Sequence, residues 1–218
     1  MDKELTNRIF TSLLLLPILI YCVQLSGYYL VVFLVFIYFL CFYEIIKNIK
    51  DLLFNIISNA ILILALYSFY SLRGDTSYSL LTIYWILAAT FLSDVGGYII
   101  GKTFKGKKLT RISPKKTYSG SVGSFIFSIL SLPLISSVQK YFYNEDLLNF
   151  YQLKYLFLAF SISFVCQFGD LYISFWKRKI KIKNTSNMLP GHGGVLDRVD
   201  GLIFVLIFCL IIKNIGLI

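Results

Sequence analysis

Three stretches of this 218-residue chain concentrate the side chains able to do polar chemistry. The first is Gln167-Phe168-Gly169-Asp170-Leu171-Tyr172-Ile173-Ser174-Phe175-Trp176-Lys177-Arg178. If helical, it sets Asp170, Ser174 and Lys177 at i, i+4 and i+7, on one face. A carboxylate, a hydroxyl and an ammonium in line make a surface for metal and phosphate. The second is Leu189-Pro190-Gly191-His192-Gly193-Gly194-Val195-Leu196-Asp197-Arg198-Val199-Asp200. Its Pro-Gly and Gly-Gly pairs exclude regular helix and let backbone N–H groups of Gly193 and Gly194 turn towards an anion at the start of the next helix. Asp197 and Asp200, three apart, face the same way. With Asp170 they can hold Mg²⁺, a hard cation that completes its shell with phosphate oxygens and water. The alternative for Asp197-Arg198-Asp200 is a charged helix cap at a membrane surface. His192, the sole histidine, excludes a His-rich metal site; it is a phosphate or base contact, or a loop hydrogen-bonder.

The third stretch, Gly101 to Ser119, carries seven cations and the compact run Ser113-Pro114-Lys115-Lys116-Thr117. Charge and hydroxyl donors there suit a polyanion. Charge alone is better explained by membrane topology with some anionic-lipid contact; it is the compact Ser113–Thr117 cluster that points towards function.

The elements that must position these residues are membrane helices. The chain is 57% hydrophobic and 15% charged, against roughly 45–50% and about 25% for soluble domains. That excludes an ordinary soluble globular protein, a disordered chain and a collagen. The net charge of +10 would suit a nucleic-acid binder, but not at this hydrophobicity. A bilayer core takes about 20 apolar residues per helix. Seven segments qualify as candidates: Ile9–Val23, Tyr28–Tyr43, Leu53–Leu72, Leu80–Ile100, Gly120–Val138, Tyr155–Trp176 and Gly201–Ile218. The first two read as a tight hairpin. The first resembles a signal peptide but lacks a small-residue cleavage site, and Tyr21 before Cys22 argues against a lipoprotein signal, so it reads as a membrane helix. Cys22, Cys41, Cys166 and Cys209 lie in apolar runs and read as buried, reduced thiols. Alternate connecting segments carry 17 and 4 of the 21 Lys and Arg residues, which puts the N-terminus and both long basic loops in the cytoplasm. The fold class is therefore an all-α polytopic bundle of about seven transmembrane helices.

Only eleven acids are present. Seven sit near span ends or in loops and call for no explanation. Asp94 and Asp170 lie inside spans, where a charge costs about 2.5–3.5 kcal/mol and usually marks a functional interior. Measured from Lys102 and Lys177, both lie roughly 10–12 Å below the basic rim. They can share a polar cavity open to the cytoplasm, or each can pair with a nearby Lys or Tyr for structure alone.

Together these residues resemble the phosphatidate cytidylyltransferases, or CDP-diacylglycerol synthases. The family signature is matched by Ser174, Lys177-Arg178, Lys183 and the whole run His192-Gly193-Gly194-Val195-Leu196-Asp197-Arg198-Val199-Asp200. Gln167, Gly169-Asp170-Leu171, and the upstream Asp94, Tyr98, Gly101, Gly106, Ser113-Pro114-Lys115-Lys116-Thr117 and Gly120 also fit. The resemblance covers roughly residues 93–201. Three positions depart from it: Trp176 where the family is usually aliphatic, Asn184 in place of an Asp, and Ser119 in place of a Glu.

The resemblance implies three regions of one integrated membrane domain: scaffold helices over 1–92, a catalytic region over 93–201 with the two basic loops, and a last helix over 202–218. It implies that CTP and phosphatidic acid give CDP-diacylglycerol and pyrophosphate. Asp170, Asp197 and Asp200 would hold one or two Mg²⁺ ions, and Lys177, Arg178 and Arg198 would counter triphosphate charge. Ser113, Lys115, Lys116 and Thr117 would grip phosphate on CTP or lipid, with Ser174, His192, Gly193 and Gly194 completing the substrate site. The expected partners are CTP, phosphatidic acid and membrane lipids, with a homodimer implied on family grounds and no nucleic acid. The expected location is a bacterial inner membrane with the site facing the cytoplasm. The competing functions are a CTP-dependent polyprenol or lipid kinase, whose product would be CDP, and a small transporter.

Overall fold

Apolar runs with polar breaks dictate a chain of long helices, and that is what the computed structural model contains. It describes residues 16–110, 112–114, 116–143, 148–150, 152–189 and 193–218. Within them run α1 (Leu16–Leu25), α2 (Gly27–Asn48), α3 (Leu52–Arg73), α4 (Ser77–Phe104), α5 (Tyr118–Tyr143), α6 (Leu153–Lys179) and α7 (Leu196–Asn214). Helices α2 to α6 are long and apolar enough to cross a membrane. Helix α7 has 19 residues, and its apolar stretch begins only at Gly201. Many of the large apolar side chains on these helices, Phe36, Phe39, Leu53, Phe157 and Phe164 among them, are exposed, as a lipid-facing surface requires.

Local chemistry sets the ends. The break between α1 and α2 is a single residue, Ser26, which with Gly27 adopts positive φ. Asp51 caps α3 by accepting from Phe54 N–H at 2.9 Å, and Thr76 with Ser79 forms a reciprocal capping box at the start of α4. Arg73, buried at the end of α3, donates to the carbonyls of Val23, Gln24 and Gly74. Those bonds satisfy a cation in an apolar setting and pin the α1–α2 break to α3. Helix α4, at 28 residues, is roughly 42 Å long and overshoots a ~30 Å hydrocarbon core.

The tightest seam joins α4 to α5. A Cβ on Gly96 would lie 2.5 Å from the carbonyl oxygen of Gly123, and one on Gly123 would lie 2.5 Å from Ile100 Cβ. Small residues here replace the missing hydrophobic drive between membrane helices with close backbone contact. The same seam carries polar links into α6. Ser93 and Ser163 hydroxyls lie 2.8 Å apart, Ser121 donates to Gln167 at 2.6 Å, and Ser128 donates to the Ala159 carbonyl at 2.8 Å. One core cluster, including Val23, Trp85, Ile86, Ala159, Ile162 and Leu206, runs from α1 to α7.

The structure departs from the sequence reading at the last helix. Helix α7 starts at Leu196, not Gly201, so Asp197 and Asp200 stand in its first turns.

The α4–α5 seam makes a direct prediction. Gly123→Ala inserts a methyl group where Ile100 and the Gly96 carbonyl already sit. It should destabilise the protein by about 1–3 kcal/mol, read as a lower melting temperature in detergent than that of an exposed control such as Val122→Ala.

Candidate active site

The site is assembled from the C-terminal halves of α4 and α6, the first turns of α7 and the loops beside them. Asp94 comes from α4, Asp170 from α6 and Asp200 from α7. The three act on one another as like charges. The thiol of Cys166 lies among them and donates to Asp94 Oδ1 at 3.6 Å. Three cations offset the cluster: Lys116 pairs with Asp170, Lys177 lies 3.7 Å from Asp200 Oδ2, and the charge of Arg198 acts on Asp94. Asp94 and Asp170, expected at one depth on different helices, are near enough to feel one another's charge. The expected i, i+4 face of α6 is present as well, with Ser174 Oγ donating to Asp170 Oδ1 at 3.4 Å.

The basic loop after α4 folds back as a short hairpin. Lys108 and Thr117 form an antiparallel bridge, and Leu109 N–H donates to the Lys116 carbonyl at 2.8 Å. Lys116 N–H donates to the Ser113 carbonyl at 3.0 Å, closing the Ser-Pro turn. This register delivers Lys116 to Asp170. Thr117, expected to grip phosphate, is engaged elsewhere, since its Oγ1 accepts from Gly120 N–H at 3.1 Å and caps α5. Ser119, at one position departing from the signature, donates to the Lys105 carbonyl and so fastens the hairpin's two arms. Lys115 and His192 lie outside the described residues.

Asp197 belongs to a different set of partners. Its Oδ1 accepts from Lys177 at 2.8 Å. Its Oδ2 accepts from Thr185 N–H at 2.9 Å, Thr185 Oγ1 at 3.1 Å and Gly194 N–H at 3.1 Å. Burial pushes this carboxyl upward, but the Lys177 bond and the two N–H bonds outweigh it and hold the group below the ordinary carboxylate range. With these partners Asp197 organises the loop, in addition to the place beside Asp170 and Asp200 that the sequence resemblance gives it. The backbone donors expected to face phosphate are also engaged internally. Gly193, at φ +87°, exchanges backbone bonds with Leu189 at 2.9 and 3.1 Å, and Gly194 donates to Asp197. Arg178 donates to the Ile182 carbonyl at 3.0 Å and closes the exposed end of α6.

An acid that looks unremarkable in the sequence is central. Glu44, on α2 and 0% exposed, accepts from Ser186 Oγ and Val195 N–H through Oε1, and from Thr185 Oγ1 and Leu196 N–H through Oε2. Asn48, one turn on, donates to the Thr185 carbonyl at 2.7 Å. Only its place beside an apolar run, Glu44 ending the span that begins at Tyr28, could have marked it.

Among the described residues no three His, Cys, Asp or Glu side chains converge closely enough to hold a cation. Asp94, Asp170 and Asp200 carry the hard carboxylate oxygens that Mg²⁺ takes, but as placed they do not form a ready cation site. The arrangement as a whole is an acidic cluster ringed by ammonium and guanidinium groups at the end of a membrane bundle, and it defines a membrane enzyme of phosphate chemistry.

Comparison with known proteins narrows the class. Residues 47–215 match the cytidylyltransferase family. The chain is 34% identical over 225 residues to a phosphatidate cytidylyltransferase of Rickettsia conorii, covering 97% of this chain and 94% of that protein. It is 39% identical over 144 residues to one from Rickettsia felis, covering 64% and 60% respectively. A Helicobacter pylori phosphatidate cytidylyltransferase is 36% identical over 137 residues, covering 62% and 48%. The chain belongs to the cytidylyltransferase family, whose members are nucleotidyltransferases. The likeness reaches further upstream than the signature residues, into the helices that carry no site motif.

If Thr117 is a cap and not a phosphate grip, its loss should be felt without substrate. Thr117→Val should lower stability by about 1 kcal/mol while Thr117→Ser leaves it unchanged, both measured by thermal unfolding with no CTP or lipid added.

Proposed function

We propose that this protein transfers the cytidylyl group of CTP to phosphatidic acid, giving CDP-diacylglycerol and pyrophosphate, at the cytoplasmic face of a bacterial inner membrane. The observation that carries the reading is the folding of the basic loop onto the acidic helix, Lys116 on Asp170, in a chain of this family. The excess of cations in the loops after α4 and α6 supports the cytoplasmic orientation.

The chemistry asks little covalent work of the protein. A phosphate monoester brings its own anionic oxygen, which attacks the α-phosphorus of CTP as the bond to the β-phosphate oxygen breaks and pyrophosphate leaves. What remains is positioning and charge neutralisation. Lys116, Lys177 and Arg198 act on the carboxylates and would supply positive charge where phosphate oxygens gather. Asp170, Asp197 and Asp200, with Asp94 beside them, are the carboxylates that would have to draw together to hold Mg²⁺, which when bound would neutralise charge at the α-phosphate and the leaving pyrophosphate. Asp197 fixes Lys177 and the Gly193–Gly194 turn, so that the cations are in place before substrate arrives.

The test is pyrophosphate release by the purified protein in detergent, with CTP, Mg²⁺ and phosphatidic acid each omitted in turn. Release should need all three, and Asp200→Asn should lower it roughly 100-fold or more without altering the melting temperature markedly. Formation of CDP without pyrophosphate, or full activity in Asp200→Asn, would overturn the reading.

A further inference from the structure

A fully buried carboxylate is tolerated only when donors surround it. Glu44 has four, and all come from the segment that carries the signature: two hydroxyls, from Thr185 at 2.7 Å and Ser186 at 2.6 Å, and two backbone N–H groups, from Val195 at 2.8 Å and Leu196 at 3.0 Å. The N–H groups belong to the first turn of α7, which has no capping side chain of its own at Val195. Glu44 is that cap, supplied by a helix about 150 positions away. A negative charge there also meets the positive end of the α7 dipole.

The contact continues into the active site. The Thr185 hydroxyl has one proton and lies 2.7 Å from Glu44 Oε2 and 3.1 Å from Asp197 Oδ2, so it bridges the two carboxylates. Asp197 holds Lys177, and Lys177 reaches Asp200. The second glycine of the signature follows from the same geometry. A Cβ on Gly194 would overlap the Thr185 hydroxyl and lie 2.6 and 2.8 Å from the two Glu44 oxygens.

We propose that Glu44 is a positioning residue for nucleotidyl transfer: it seats the turn at 193–196 and, through Thr185 and Asp197, the Lys177–Asp200 pair. The inference rests on the activity proposed above. Glu44 lies upstream of the 47–215 family match and outside every motif of the signature, so its contacts alone give it this role. The carboxylate is required and not merely its shape, because a glutamine would aim an NH₂ group at one of the two backbone N–H donors, which cannot reverse direction.

The experiment uses the full-length protein in detergent and compares wild type with Glu44→Gln, Thr185→Val, Thr185→Ser and the Glu44→Gln/Thr185→Val double variant. Two readouts are taken on folded, monodisperse material: amide hydrogen exchange over residues 185–200, and the kcat and KM for CTP in pyrophosphate release. Glu44→Gln should speed exchange at Val195 and Leu196 and lower kcat roughly tenfold or more, with KM for CTP near the wild-type value. Thr185→Ser should keep the wild-type rate. The double variant should be no slower than the slower single one, because both break one connection. Wild-type kcat in Glu44→Gln, or losses that multiply in the double variant, would overturn the proposal. Should Glu44→Gln fail to fold, Thr185→Val carries the test, and its wild-type kcat would overturn it equally. If wild-type protein releases no pyrophosphate, it is the activity reading that fails, and the exchange comparison alone decides whether Glu44 seats the turn.

Discussion

The Lys177 ammonium stands between two carboxylates, 2.8 Å from Asp197 and 3.7 Å from Asp200. It joins the end of α6 to the start of α7. An ammonium and two carboxylates withdrawn this far from water would each be costly alone. Together, and with the N–H groups of Thr185 and Gly194 on Asp197, they satisfy one another. The arrangement also constrains everything around it. The turn at Gly193–Gly194 must lie close enough for its backbone to reach Asp197. Helix α7 must begin at Leu196, and the segment after α6 must return across α2, where Glu44 receives it.

The second constraint is the bilayer. Helices that gain nothing from hiding apolar surface need another reason to meet. In α4 and α5 the reason is backbone proximity at Gly96 and Gly123, supplemented by hydroxyl and amide links to α6. That seam, with its links to α6, brings the hairpin after α4 back over α6, so that Lys116 lands on Asp170. The polar site is therefore a consequence of small-residue packing as much as of its own charges.

For an enzyme that joins two phosphates, this division of labour suits the chemistry. The reaction needs no protein nucleophile, so rigidity and charge are what the fold must provide. Carboxylates on three separate helices and cations on α6, α7 and a hairpin give a cluster whose members cannot drift independently.

Much of this was legible in the sequence. Apolar runs of spanning length establish a polytopic helical protein, because that signal is local and additive. Asp170, Lys177, Asp197 and Asp200 stand out because acids are scarce and their spacing is helical. What each does was not legible. That Asp197 also serves the loop and that Thr117 caps α5 depend on which way nearby N–H groups point, while the action of Asp170 and Asp200 on Asp94 depends on helices far along the chain. Glu44 is the clearest case: next to an apolar run it looks like an ordinary span end, and its four donors lie 141 to 152 residues away. Sequence alone determined the helices and the stock of charged groups; only the tertiary structure decided which charge faces which, because a buried charge takes its role from the partners that packing brings within 3 Å or so of it.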